Sequence, residues 1–184
     1  MNFRLRRAAA AVRAGGVIAY PTEAVWGLGC DPFNNAAVQR LLQLKARPVS
    51  KGLILVAAHW RQLGWLLDNL SRSQQDTLRR SWPGPNTWLV PHHGRIPRNL
   101  CGAFDSIAVR VSAHPQVVAL CEALGSPLVS TSANVSGARP ALHQFQVHRY
   151  FGPALDDLLP GRLGDGLAPT VIRDLPSGRV VRNG

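Results

Sequence analysis

Lysine is almost missing from this 184-residue chain: two lysines, Lys45 and Lys51, stand against nineteen arginines. Acid is scarce as well, with ten Asp and Glu of which only Glu23 and Glu122 are glutamates. Three cysteines (Cys30, Cys101, Cys121) without C-x-x-C spacing exclude a disulfide framework and a structural zinc site, and fit a reducing cytoplasm. There is no run of 18 apolar residues, so no membrane-spanning helix is expected. The arginine-rich start, Met1 to Arg7, leads into alanines interrupted by Arg13, which reads as a helix of the fold and not as a signal peptide. The phosphate loop G-x-x-x-x-G-K-S/T, the dinucleotide fingerprint G-x-G-x-x-G, the nucleophile elbow G-x-S-x-G and the zinc motif H-E-x-x-H are all missing. His92-His93 reads as a pair of surface histidines, and nothing in the spacing singles out a Cys-His nucleophile.

What is present is a chain of one domain's size, 46% apolar, which excludes disorder. Its formal charge of +11 predicts association with polyanions, whether RNA, nucleotide triphosphates or pyrophosphate. Because arginine serves wherever a generic cation is needed, the two lysines suggest a compact ammonium used as a point charge on phosphate.

Apolar spacing and turn residues predict helices at 3–14, 36–45, 60–68, 73–81, 115–124 and 143–150. They predict strands at 17–20, 53–56, 87–90, 107–111, 128–131, 170–174 and 179–182. Strict β-α-β alternation is lacking, so the fold class expected is a single α/β domain spanning residues 1–184, with a twisted, mixed parallel and antiparallel sheet flanked by helices. The Gly/Pro-rich stretch 160–169 reads as a mobile loop.

Four segments look functional, near strand ends where α/β domains place ligands. Tyr20-Pro21-Thr22-Glu23-Ala24-Val25-Trp26-Gly27-Leu28-Gly29-Cys30-Asp31 carries two glycines, as backbone approaching a ligand would, or forms a plain strand-loop-strand corner. Lys45, Arg47 and Lys51 could clamp a triphosphate or form a solvated charge run at a helix end. Arg110, inside an apolar strand, either meets a buried carboxylate such as Asp105 or holds a ligand carboxylate. Ser130-Thr131-Ser132-Ala133-Asn134 gathers hydroxyls and an amide that suit phosphate, ribose or amino-acid atoms, or ordinary turn and cap chemistry.

Taken together and in order, these segments resemble the YrdC/TsaC family of threonylcarbamoyl-AMP synthases, in its short single-domain form. The matching stretches are Pro21 to Asp31, Lys45-Ala46-Arg47-Pro48, Lys51-Gly52-Leu53-Ile54-Leu55, Ser81-Trp82-Pro83-Gly84-Pro85, Ala108-Val109-Arg110-Val111 and Ser130 to Gly137. The resemblance implies a YrdC-like domain with a basic concave face. It implies a nucleotidyltransferase reaction: L-threonine, bicarbonate (or CO2) and ATP give threonylcarbamoyl-AMP and pyrophosphate, for modification of adenosine 37 of tRNA. By resemblance Lys45, Arg47 and Lys51 grip ATP phosphates, and Thr22, Arg110, Ser130 and Thr170 bind threonine. Ser132, Asn134 and Arg182 would contact the nucleotide, and Mg2+ would arrive on ATP phosphates. Direct tRNA contact and downstream tRNA threonylcarbamoyl-transfer proteins are the partners implied. Trp26 stands where the family has Tyr or Phe, so a larger ring would tighten the pocket, and Thr170 stands where the family has Ser. Two other readings remain: a non-catalytic module that binds tRNA or double-stranded RNA through the basic surface, and a carbamoyl-phosphate-using relative, which the lack of acylphosphatase or zinc-finger segments disfavours.

Overall fold

The computed structural model describes residues 2–166 and 170–183. Helices are α1 Phe3–Arg13, α2 Asn35–Leu44, α3 Gly64–Leu67, α4 Arg72–Ser81, α5 Arg98–Cys101, α6 Pro115–Leu124 and α7 Gln144–Phe151. Strands are β1 Ile18–Pro21, β2 Trp26–Gly29, β3 Ile54–Ala57, β4 Asn86–Pro91, β5 Ser106–Val111, β6 Leu128–Ser132, β7 Asp157–Leu158, β8 Val171–Asp174 and β9 Val180–Arg182. Local chemistry sets the helix ends. Asn2 and Asn34 cap α1 and α2 through their side chains, and Ser71 with Gln74 forms a capping box on α4. Pro115 opens α6 and the left-handed Gly125 ends it.

The helix expected at 60–68 is a 3-10 turn, Trp60–Leu63, followed by the single turn of α3. Gln62 accounts for the tight turn: its carboxamide accepts from Ala58 N at 2.8 Å and donates to Cys121 O at 2.8 Å. The sequence shows no sign of α5 or β7, and the expected strands omit β2; these elements of four, two and four residues are too short to show a period.

The nine strands form one mixed sheet in the order β7-β1-β2-β6-β3-β5-β4-β8-β9. Pairs β1–β7, β3–β5 and β4–β8 are parallel and the other five antiparallel. Side chains alternate between the faces. Leu28, Leu55, Val109 and Val129 fall on one face, in the larger core with residues of α2, α3, α4, α5 and α7. Ile18, Tyr20, Val56 and Leu128 fall on the other, in a smaller core with α1 and α6. Two helices cover only part of that second face, and the remainder is where the polar residues of β5 and β6 emerge.

The Gly27-Leu28-Gly29 stretch is strand β2, and its glycines make room for Tyr20. A side chain on Gly29 would come within 2.4 Å of Val129 O and 2.8 Å of the Tyr20 ring. Backbone and a fully buried ring cannot both give way, so Gly29→Ala is expected to destabilise the fold by about 3 kcal/mol. A drop in the urea midpoint at unchanged slope would show it, and an unshifted midpoint would refute this packing.

Candidate functional site

Register brings the site together. β6 sets Ser130 beside Ile54 of β3, and β3 sets Ile54 beside Ala108 of β5. Two residues further on, Arg110 and Ser132 share their face. They line a pocket of about 260 Å³ with Thr22, Arg47, Thr170 and Arg182. Thus seven of the ten residues expected from sequence meet at one cavity: Thr22, Arg47, Arg110, Ser130, Ser132, Thr170 and Arg182.

Lys45, Lys51 and Asn134 are placed differently. Lys45 ends α2, not a strand, and its buried Nζ donates to Ser132 O and, at 2.7 Å, to Asn134 O. Asn134 braces the same loop, accepting from Ser132 Oγ at 2.6 Å and donating to Val135 O and Ala138 O. Both residues therefore shape the loop that presents Ser132. Ala46 turns the chain with a left-handed φ of 47°, putting Arg47 on the pocket side of Lys45. Exposed Lys51 borders an adjoining apolar cavity of about 260 Å³, walled by Leu89, Phe104, Ile172 and Val181 and sharing Arg47 and Arg182 with the first.

Burial, and then the charge of Arg47, lowers the Lys45 ammonium to about 8. Between that value and its ordinary 10.5 the unfolded chain holds a proton that the folded chain lacks. Lys45 therefore adds stability above the ordinary value, and this contribution is lost as pH falls to about 8. The melting temperature of the wild type relative to Lys45→Met should rise steadily between those limits, and a difference that is flat with pH would contradict the burial of this ammonium.

Arg110 is 7% exposed and pairs with Glu23, NH2 to Oε2, at 3.0 Å. The expected structural partner, Asp105, does not serve. The turn after β1 carries Glu23 to the Arg110 face, whereas Asp105 is exposed just before β5. The second Glu23 oxygen accepts from Ser112 Oγ at 2.6 Å. Thr22 closes that turn, its hydroxyl donating to Val25 O at 2.7 Å, and the Thr170 hydroxyl lies 2.8 Å from that of Thr87. Burial lowers both Arg47 and Arg182, and Arg182 adds to the effect on Arg47 by like charge. Neither has a carboxylate partner among the described residues.

Three expectations need correction. The stretch 160–166 is tied down: Gly164 N and Gly166 N donate to Thr22 O and Glu23 O, and Gln116 Nε2 donates to Pro160 O. A side chain on Gly166 would lie 2.9 Å from Glu23 O, so glycine here serves close approach and not mobility. Residues 167–169 of that expected loop lie outside the described residues. Trp26 packs in the larger core at 2% exposure and does not tighten the pocket. His92 is buried, accepting from Gly94 N at Nδ1 with Nε2 3.0 Å from Phe104 O, so it holds a turn, while His93 is exposed. The three thiols are buried, and burial pushes Cys30 and Cys121 up to about 12, far from a nucleophilic thiolate. Sequence reading singled out Glu23 for its rarity but gave it no role in the site; its signal was the scarcity of acid near an arginine placed in an apolar strand.

No described helix is long and apolar enough to cross a membrane. Among the described residues no group of three or more His, Cys, Asp or Glu could hold a metal ion. Glu23, the one carboxylate among the described residues of the pocket wall, is engaged by Arg110 and Ser112, so a Mg2+ ion caged by protein does not fit there.

Comparison with known proteins bears on the family and the fold. The Sua5/YciO/YrdC family model, described as "Telomere recombination", matches residues 10–184. A threonylcarbamoyl-AMP synthase of Pseudomonas paraeruginosa is 56% identical over 98% of this chain and 97% of its own length. One of Halorhodospira halophila is 57% identical over 98% of this chain and 94% of its own. Among solved structures, P. abyssi Sua5 complexed with L-threonine superposes with a TM-score of 0.87 at 31% identity, covering 94% of this chain. This chain spans 51% of that longer protein. E. coli YciO superposes at 0.84 with 28% identity, covering 98% of this chain and 88% of that one. Family model, full-length relatives and shared fold lead to one conclusion: the chain belongs to the Sua5/YciO/YrdC family.

Proposed function

We propose that this protein is an L-threonylcarbamoyladenylate synthase, joining L-threonine, bicarbonate or CO2, and ATP into threonylcarbamoyl-AMP with release of pyrophosphate. The observation that carries the reading is the convergence of Arg47, Arg110 and Arg182 on one hydroxyl-lined pocket whose wall, among the described residues, holds a single carboxylate. That arrangement suits a substrate carboxylate at Arg110 and phosphates at Arg47 and Arg182. The adjoining apolar cavity suits the adenine ring.

The reaction needs no protein nucleophile. The threonine ammonium gives a proton to solvent, the free amine bonds to CO2 with loss of a second proton to leave a carbamate, a carbamate oxygen bonds to the α-phosphorus, and the bond to pyrophosphate breaks. Catalysis is then alignment of the reactants and offset of the charge on the leaving group. Thr22, Ser130 and Thr170 line the threonine end, and Ser132 lines the passage toward the nucleotide. Lys45 and Asn134 keep the Ser132 loop in place, and Lys51, exposed on the adjoining cavity, adds positive charge at the nucleotide end. Mg2+, where required, would come with ATP on phosphate oxygens. The transfer class, tRNA contact through the basic surface, and hand-over of the adenylate to tRNA threonylcarbamoyl-transfer proteins are parts of the same proposal.

Purified protein supplied with ATP, Mg2+, bicarbonate and L-threonine tests it by pyrophosphate release. Release should depend on both threonine and bicarbonate; release indifferent to threonine, or none, would overturn the reading. Salt-sensitive RNA binding without any release would instead support the non-catalytic module.

A further inference from the structure

The ion pair at the threonine end is incompletely satisfied. Glu23 Oε2 and Arg110 NH2 lie 3.0 Å apart, yet the contact lacks hydrogen-bond geometry. Glu23 Oε2 and Arg110 Nε are both buried with no hydrogen-bond partner among the described residues. The other Glu23 oxygen is fixed by Ser112, so the carboxylate cannot turn away to water without breaking a 2.6 Å bond. A buried acceptor of negative charge and a buried donor of positive charge thus stand side by side in one pocket wall.

We propose that the Glu23–Arg110 pair is a filter for zwitterions: the substrate's carboxylate takes Arg110 while its α-ammonium takes Glu23, each end of the protein pair exchanging its partner. This rests on the reading of the pocket as an amino-acid site. The physical case is one of compensation. A simple carboxylate that drew Arg110 to itself would leave Glu23 buried and unpaired, which is strongly unfavourable. An α-amino acid brings the matching cation on the adjacent carbon and leaves neither group exposed to that penalty. Sites built to bond a particular polar group reject analogues that lack it far more sharply than apolar pockets reject a missing methylene. Glu23 is therefore a substrate-binding and specificity-determining residue, whose partner is the amine and not only Arg110.

Titration calorimetry on the full chain, without ATP, separates this role from a merely structural one. The two ligands are L-threonine and the 2,3-dihydroxybutanoate of matching configuration, which has a hydroxyl in place of the amine. Wild type should favour threonine by at least about 30-fold. In Glu23→Gln the preference should collapse to within about 3-fold, because threonine weakens while the hydroxy acid is unchanged or tighter. Equal weakening of both ligands would overturn the proposal, since Glu23 would then only position Arg110. Should Glu23→Gln fail to fold, the wild type decides: equal affinity for the two ligands, or no binding of L-threonine, overturns it. Pyrophosphate release by the same preparation scores the synthase reading separately, because amino-acid selectivity in the absence of ATP does not depend on turnover.

Discussion

Arg110→Ala is expected to lower kcat/KM for L-threonine roughly 100- to 1,000-fold, the largest single effect in the protein, as loss of a buried charge-assisted contact does. It removes the cation that meets the substrate carboxylate and also strands Glu23, whose two oxygens are held by Arg110 and Ser112 inside the pocket wall. A stability loss of about 3 kcal/mol should accompany it, since breaking one side of a buried pair leaves an uncompensated charge. The double variant Arg110→Met/Glu23→Gln separates the two consequences. Removing both charges should restore most of the stability and none of the threonine activity. Recovery of activity in the double variant would show that Arg110 does not meet substrate.

At the other end of the pocket, Arg47→Ala should reduce pyrophosphate release roughly 100-fold and raise KM for ATP, the scale seen when one electrostatic stabiliser is removed. Its guanidinium is held in place by Gly52 O, which accepts from Nε at 3.1 Å and from NH2 at 2.9 Å. Burial and the nearby Arg182 charge both disfavour the charged form of Arg47, and an arriving phosphate relieves both. Threonine binding measured without ATP should change less than about 3-fold, because Arg47 acts at the phosphates. A pure RNA binder would behave otherwise: Arg47 would be one contact among many, and its loss would cost only a share of a distributed charge. Steady-state kinetics with each substrate varied in turn distinguishes these outcomes.

Much of the architecture is legible in the chain because short apolar runs bounded by Gly and Pro announce buried strands. Ile107-Ala108-Val109-Arg110-Val111 is the instructive case. The four apolar residues establish a strand, and the one charge among them identifies a site. The identity of its partner was not legible. Glu23 reaches Arg110 only through the sheet order, in which β6 and β3 stand between the β1–β2 hairpin that carries Glu23 and the β5 strand that carries Arg110. The orientation of Lys45 was hidden for a similar reason. A lysine after a helix reads as a free cation, whereas folding closes the Ser132–Asn134 loop over its amine. Glycine is only partly legible: Gly27 does line the pocket, as backbone approaching a ligand would. Gly29, by contrast, accommodates Tyr20, and in 160–166 glycine allows backbone to lie against Thr22 and Glu23, where the sequence pattern resembles a flexible loop. The burial of His92 is not legible in sequence because its hydrogen-bond partners, Gly94 and Phe104, belong to segments with no period of their own.

The central claim is that one pocket joins threonine, inorganic carbon and the adenylyl group of ATP. Mass detection of the product formed from L-threonine, ATP and 13C-bicarbonate tests it most directly. The expected product is an adenylate whose mass equals threonylcarbamoyl-AMP and rises by one unit with the labelled carbon, formed by the wild type and roughly 100- to 1,000-fold less efficiently by Arg110→Ala. An adenylate that excludes the label, or no adenylate at all from folded and L-threonine-binding protein, would contradict it.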